Sequence, residues 1–382
     1  MTLPSPASFL SGAVAGLIRM HAAAGEGGRD LHPEVLALIY GEEWFRLLVP
    51  GRWGGRSLPL PQLVRLEEGL AFADGSVGWT VTLCSGAGWF AGFFPPEVFG
   101  QLFSDQRLCI AGSGSATGVA RVIDGGYRVS GHWAYASGAL HATAFTANCV
   151  VWEGEAPVVG DDGNPVIRPF LFLRDEVRVH ADWNAMGLVA TGSHGFSVEG
   201  LLVGAERCFV IDAAAATDGH ALYRYPFLPL AEATLAANLS GMAQHFLDCC
   251  AAVFAQRVRD GRVPSGVAAE MERVLGLGRL DLYAAREAFY LAVDRSWEMV
   301  EASVAGLVSA AGAPLPEGAG GTPLPAVFAE VGLVSHALAA AVREWVDRLY
   351  PYAGLGAARM DSEINRVWRD LHTAGQHPLL VA

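Results

Sequence analysis

The chain is 382 residues long, 52% hydrophobic and only 17% charged, with a formal net charge of −13. Its 26 basic residues are all arginine, which excludes Schiff-base chemistry and a lysine general base; the acidic balance and the lack of basic runs argue against nucleic acid as a partner. So apolar a chain needs burial both within two or three domains and between subunits, so a homo-oligomer, tetramer or dimer, is expected.

In chain order, residues 33–48 and 61–73 repeat their apolar positions on a 3.6-residue period and are expected to be helices, joined by the glycine-rich GRWGGRSLPLP. The run VGWTVTLCSGAGWFAGF reads as a buried helix or a cofactor-facing wall, with a short helix after Pro95–Pro96. From about residue 106 the pattern becomes strand-like. GVARVIDGGYRVSGHW is a hairpin around Asp124–Gly125–Gly126, and ATAFTANCVVW, VIRPFLFLR, VRVHADW, HGFSVEGLLV and RCFVI continue as short strands of an antiparallel domain. From about residue 216 long helical periods return, separated by short joints and the loop AGAPLPEGAGG, which implies a four-helix bundle. The expected fold class is therefore α+β, with a helical N-terminal domain (1–105), a middle β domain (106–215) and a C-terminal bundle (216–382).

The six cysteines have neither CxxC spacing nor a disulfide framework, and the histidines show no ligand spacing, so no metal site is expected. Residues 8–18 are too short and glycine-rich to span a bilayer, and no basic run precedes them. A cytoplasmic protein without a membrane partner is the expectation.

Three segments hold residues suited to chemistry. In Gly131–His141, the strand end Trp133, Tyr135, Ala136 is followed by Ser137 and His141; small residues would let backbone N–H groups approach a planar ligand, and Ser137 could donate to a ring nitrogen. The same residues fit an ordinary strand end with core aromatics. In Asp182–Ser193, Thr191, Gly192 and Ser193 could form a nest of donors beside two hydroxyls, with Trp183 covering a ring; a polar turn with a packing tryptophan is the plainer alternative. In Asn365–His377, Arg366, Arg369, Asp370, Thr373 and His377 fall on one face of a continued helix, where Arg369 and Asp370 fit structural ion pairs equally well. AGSGS (111–115) lacks the spacing of a dinucleotide fingerprint, and no HExxH, GxSxG or P-loop is present.

At these segments the chain resembles the acyl-CoA dehydrogenase-like superfamily over nearly its whole length, most specifically in YPYAGLGAARMDSEINRVWRDLHTAGQH. Within it, ASGALHA (136–142), GSVGW (75–79), TGS (191–193) and WRDLHTAGQH (368–377) are similar to the oxygenase components of reduced-flavin-dependent, two-component aromatic hydroxylases. That resemblance implies a flavin-dependent monooxygenase. It would take reduced flavin (FMN or FAD) from a separate NAD(P)H-dependent flavin reductase, with O2 as co-substrate, and hydroxylate an aromatic or polycyclic small molecule through a C4a-hydroperoxyflavin. Carried over, Ser137 lies near flavin N5, His377 near the position where oxygen reacts, and His141 fills a histidine place of the same element. Trp133, Tyr135, Ala136, Trp183, Thr191, Gly192, Ser193 and Arg369 would help bind the cofactor, and Trp79, Trp89 and Trp133 would wall the cavity. The glutamate that many dehydrogenases carry after the Arg-Asp pair is missing here; Glu232, one residue out of step with a second dehydrogenase subgroup, is the candidate base for the alternative, an FAD-dependent desaturase or oxidase.

Overall fold

Helix α1 (Gly12–Gly28) starts where the Ser11 hydroxyl accepts from the Val14 N–H at 3.2 Å, and it stops at Arg29, which is in the left-handed region. The computed structural model describes residues 3–98, 102–103, 107–309 and 324–381, so the expected boundary at 105/106 and the loop 311–321 lie outside the described residues. Helix α2 (Pro33–Gly41) is shorter than its periodicity suggested. The chain turns at Glu43, whose φ is +56°, and Trp44–Arg46 becomes a single 3₁₀ turn. Asp74 separates α3 (Leu60–Ala73) from α4 (Gly75–Trp89): its N–H closes the first helix on Leu70, and its carboxylate caps the second at Val77 N–H, 3.0 Å away. These two helices touch backbone to backbone at Gly78, where a Cβ would come within 2.6 Å of Ala71 Cα.

The sheet comprises β1 (Ile110–Ile123), β2 (Gly126–Ala136), β3 (Ala144–Glu153), β4 (Ala156–Pro157), β5 (Ile167–Leu173), β6 (Arg178–Val179) and β7 (His194–Gly204). The expected hairpin is present, turning at Asp124–Gly125 with Ile123 opposite Gly126. The all-antiparallel expectation is corrected: β3 runs parallel to β1, from Ile110↔Ala144 to Arg121↔Trp152, so the sheet is mixed. The reason is the connection 137–143. It crosses the N-terminal end of β1 and starts β3 on the side of β1 opposite β2, in the same direction as β1. VRVHADW yields only the two-residue β6, and RCFVI only a bridge from Cys208 to Phe170. Trp133, Phe145, Phe170, Phe172 and Phe196 fill the sheet's own core.

The C-terminal region is α5 (Phe227–Arg259), α6 (Ser265–Ser309), α7 (Leu324–Ala353) and α8 (Glu363–Ala374). The stretch that allowed a kinked pair is one unbroken helix, α6. Helix α7 is long and apolar enough to cross a membrane by length and composition, but it packs on α5 and α6 as part of the bundle. Helices α3 and α4 pack against α5, so the N-terminal helices and the bundle share one core, and the 137–143 crossover rests against α4.

Candidate active site

The crossover of β1 brings two of the expected segments together. The Ser137 hydroxyl lies 2.8 Å from that of Ser193, which lies 2.6 Å from that of Thr191. The Thr191 hydroxyl donates to the Leu188 carbonyl at 2.8 Å. Each hydroxyl has one proton, so the order is fixed: Ser137 donates to Ser193, Ser193 to Thr191, Thr191 to Leu188. The proton of Ser137 is spent within the protein, and its free lone pairs make it an acceptor toward any ligand. The same turn places Thr191 at the end of a 3₁₀ turn, its N–H on the Leu188 carbonyl at 3.2 Å, and Gly192 in the left-handed region, a right-then-left sequence of the kind that anion-favouring nests use. Gly138, with φ +75°, is tied to this turn by its N–H on the Thr191 carbonyl at 2.9 Å.

Around this relay the other predicted residues divide. At the register shift between Trp133 and Ala136, Tyr135 adopts φ +65° and is turned outward, 73% exposed, edge-on to Trp183 at 6.2 Å. A bulge with a strained tyrosine at a strand end is the kind of feature found beside ligand sites. Trp183 is anchored through its indole N–H on Leu188 O at 3.1 Å, so its ring stands beside the relay. Trp133 and Ala136 are fully buried in the sheet core, Trp133 between Phe172 and Phe196 with its N–H on Asn148 O, and they support the loop from below. Nor does Trp89 wall this site, since it belongs to an aromatic cluster with Phe90, Phe93 and Phe227. His141 spends its Nε2 on Asp30 at 2.8 Å, fastening the crossover to the α1–α2 turn.

His377 lies beyond the helix expected to carry it: α8 ends at Ala374, and His377 caps the 3₁₀ turn Pro378–Leu380, with Nδ1 accepting from Leu379 N–H at 3.3 Å. Burial pushes its pKa below the ordinary histidine value, so the neutral ring is favoured. With Nδ1 used as acceptor, the neutral ring carries its proton on Nε2. Its ring meets the edge of Trp79 at 5.9 Å. Helix α4 thus links the two parts of the site: Trp79 reaches His377, while Cys84, on the next turn, gives its thiol to the Ser137 carbonyl at 3.4 Å.

The Arg-Asp pair of α8 acts as the joint between bundle and sheet. Arg369 binds Glu26 at 2.5 Å, Asn365 at 2.8 Å and the Met186 carbonyl at 2.6 Å; one Nη2 atom has no partner. Asp370 accepts from Leu188 N–H at 2.5 Å, so the residue that ends the hydroxyl relay is itself held by the bundle. Burial, with Asp74 nearby, pushes the Asp370 carboxyl up to about 8, and burial raises Asp74 as well despite Arg366 4.0 Å away. Glu232 is turned the other way, onto His336 of α7 at 3.3 Å.

Sequence reasoning did not single out Asp30, Asp74 or the buried Glu67. It also found no metal-ligand grouping, whereas His21, His32 and Glu34, and His245, Cys249 and Glu363, each bring possible ligand atoms within 4.8 Å. The six cysteines are free thiols.

Residues 233–381 match the family described as "Acyl-CoA dehydrogenase, C-terminal domain". The chain is 26% identical to the flavin-dependent monooxygenase oxygenase subunit HsaA of Rhodococcus jostii, over 94% of this chain and 91% of that protein. It is 27% identical to the FADH2-dependent resorcinol hydroxylase, oxygenase component, of a Rhizobium species, over 95% and 88% of the two chains. The crystal structure of the HsaA monooxygenase from Mycobacterium tuberculosis superposes with a TM-score of 0.83 at 23% identity, covering 97% of this chain and 93% of that one.

Proposed function

We propose that this chain, a flavin-dependent monooxygenase of acyl-CoA dehydrogenase-like fold, takes reduced flavin from a separate reductase and uses O2 to hydroxylate an aromatic or polycyclic substrate. When bound, the reduced flavin would supply the electrons that activate O2. The remaining requirements fall on side chains of this chain.

The observation that carries the reading is the direction of the hydroxyl relay. Reduced flavin has a proton on N5, whereas oxidised flavin has a lone pair there. A Ser137 whose proton is committed to Ser193 accepts from the first and has nothing to give the second. On this reading Ser137 serves as an acceptor toward flavin N5, where a donor was expected. Thr191, Gly192 and Ser193 would offer the nest to a polar edge of the ring system, with Tyr135 and Trp183 covering it. Arg369 holds the site together through Glu26 and Met186, and its spare Nη2 is the one group it has left for a ligand. His141 is a positioning residue acting through Asp30.

His377 would hold a proton on Nε2 beside Trp79, in surroundings dry enough to lower its pKa, and so offer a neutral donor where oxygen is handled. Glu232 facing α7 gives no support to a dehydrogenase base at this position. Apolar side chains on the outside of the bundle, Leu280 and Leu291 of α6 and Leu333 of α7, each more than 60% exposed, fit a subunit interface, so the working form is a homo-oligomer. Such an oxygenase works in the cytoplasm, where reductase and NAD(P)H are at hand.

The test feeds FMN or FAD, reduced by an NADH-dependent flavin reductase, to the protein under ¹⁸O2 with resorcinol, indole and 2-naphthol as probes. One ¹⁸O atom in a hydroxylated product is expected. Bleaching of tightly held oxidised FAD by butyryl-CoA, with no label in any probe, would overturn the reading in favour of a desaturase.

A further inference from the structure

The middle of α5 carries a group of side chains that the flavin side of the site does not use. His245 and Cys249 stand four residues apart on this helix, so their side chains leave the same face one turn from each other. Glu363, the first residue of α8, reaches that face from a second helix, and His245 Nε2 lies 3.2 Å from its Oε1. One ligand atom of each residue lies within 4.8 Å of the other two. Ligands of a tetrahedral zinc ion, held about 2.0–2.3 Å from the metal, sit roughly 3.3–3.8 Å from one another. The imidazole and the carboxylate already meet that spacing, and the thiol has at most about 1.5 Å to close. The other grouping of possible ligands, His21, His32 and Glu34, lacks this geometry. Its two rings are stacked 3.8 Å apart and 11° from parallel, so no point lies in both ring planes, where the nitrogen lone pairs are directed.

Exposure is graded across the α5–α8 group as an accessible metal site requires. The His245 side chain is 9% exposed and packs against the Phe72 ring, Cys249 is half-buried, and the Glu363 side chain is 54% exposed. An ion can enter past Glu363 and keep a water in its fourth position, while α5 holds the ring and the thiol behind it. The surrounding charges decide which ion. Arg366 lies 4.0 Å from both Glu363 and Asp74, and Arg19 of α1 stands over the Phe72 ring; both act on Glu363 and Cys249, with Asp248 opposing them at Cys249. A hard cation such as Mg²⁺ or Ca²⁺ needs several oxygen ligands and finds one carboxylate here, beside two arginines. A borderline metal gains from thiolate and imidazole, and the nitrogen–sulfur–oxygen set suits Zn²⁺.

We propose that His245, Cys249 and Glu363 form a binding site for Zn²⁺ or a similar thiophilic divalent ion, which fastens the start of α8 to the middle of α5. On binding, the Cys249 thiol gives its proton to solvent, and the neutral His245 ring ligates through Nε2 with its own proton on Nδ1. Glu363 exchanges its contact with His245 for a bond to the ion, and Arg366 keeps Asp74. Arg369 and Asp370, which join bundle to sheet, follow Glu363 on the same short helix, so the ion braces that joint from outside the flavin site.

The test reads metal and not turnover, so its result does not depend on the oxygenase reading. The full chain, stripped with a chelator under reducing conditions, is titrated with Zn²⁺ by calorimetry and with Co²⁺ in the spectrophotometer. One ion per chain is expected, with a thiolate-to-cobalt charge-transfer band in the near ultraviolet. Zn²⁺ should abolish that band and raise the melting temperature by several degrees, whereas a large excess of Mg²⁺ should do neither. Cys249→Ser should remove the band and weaken Zn²⁺ binding by more than the ~10–100-fold that an outer-shell change costs. Glu363→Gln should weaken binding and keep the band, and Cys208→Ser, at the half-buried thiol of the sheet, should change neither. No stoichiometric binding of either ion, a band that survives Cys249→Ser, or equal displacement of Co²⁺ by Mg²⁺ overturns the proposal.

Discussion

Glu67 and Glu68 are neighbours on α3, equally buried, and opposite in their partners. Glu68 points toward α6: Arg286 grips it in a two-pronged ion pair with both bonds at 2.6 Å, Ser240 donates at 2.5 Å, Tyr290 adds its hydroxyl, and Arg286 also reaches the Pro4 carbonyl. Glu67 points toward α4 and has no such partner. A charge satisfied on every side locks helices together, whereas a buried acid without a charged partner adds no such lock. Burial alone does not tell which carboxyls tie helices together. The inventory of partners does.

The largest effect expected from breaking this contrast is on Glu68. Glu68→Ala leaves Arg286 buried and uncompensated, and should cost about 3–5 kcal/mol in urea unfolding. A loss no greater than that of Glu67→Leu would erase the distinction between the two faces of α3. Next comes His377, which should matter for chemistry and not for the fold. His377→Ala should lower hydroxylated product per NADH by roughly 10²-fold, with released hydrogen peroxide making up the difference and the thermal melt nearly unchanged. Unchanged coupling would remove it from the site.

Asp370 is a third kind of buried carboxyl, neutral yet tied to one backbone N–H, and it sharpens the comparison through pH. In the folded chain it keeps its proton up to about pH 8, whereas an unfolded aspartate releases it near ~3.9. The folded state therefore binds the extra proton between those values, and stability falls as pH rises through that window. Asp370→Asn keeps an acceptor for Leu188 and has nothing to titrate. Its melting temperature relative to wild type should rise from pH 5 to pH 8; a difference constant with pH would contradict the assignment.

How much of this was legible in the sequence depends on what each residue needs. Ser137, Thr191 and Ser193 stood out because hydroxyls and small residues cluster where strands end, and the structure brings them within hydrogen-bond reach. The direction of their relay was hidden, since it is set by the Leu188 carbonyl, which no side chain announces. Extending the helical face to His377 overran the end of α8, and the parallel pairing of β1 with β3 depends on where a short crossover travels, which periodicity does not record. Glu67 was invisible for a different reason. A glutamate in an amphipathic helix reads as solvent-facing, and only packing by α4 and α5 reveals that this one is enclosed.

The account turns on Ser137 accepting a hydrogen bond, and anaerobic titration with flavin tests that most directly. Wild type should bind reduced FMN or FAD roughly tenfold tighter than the oxidised form, and Ser137→Ala should bring the two affinities together. Equal affinity of wild type for both redox states, or a preference that Ser137→Ala leaves intact, would contradict it.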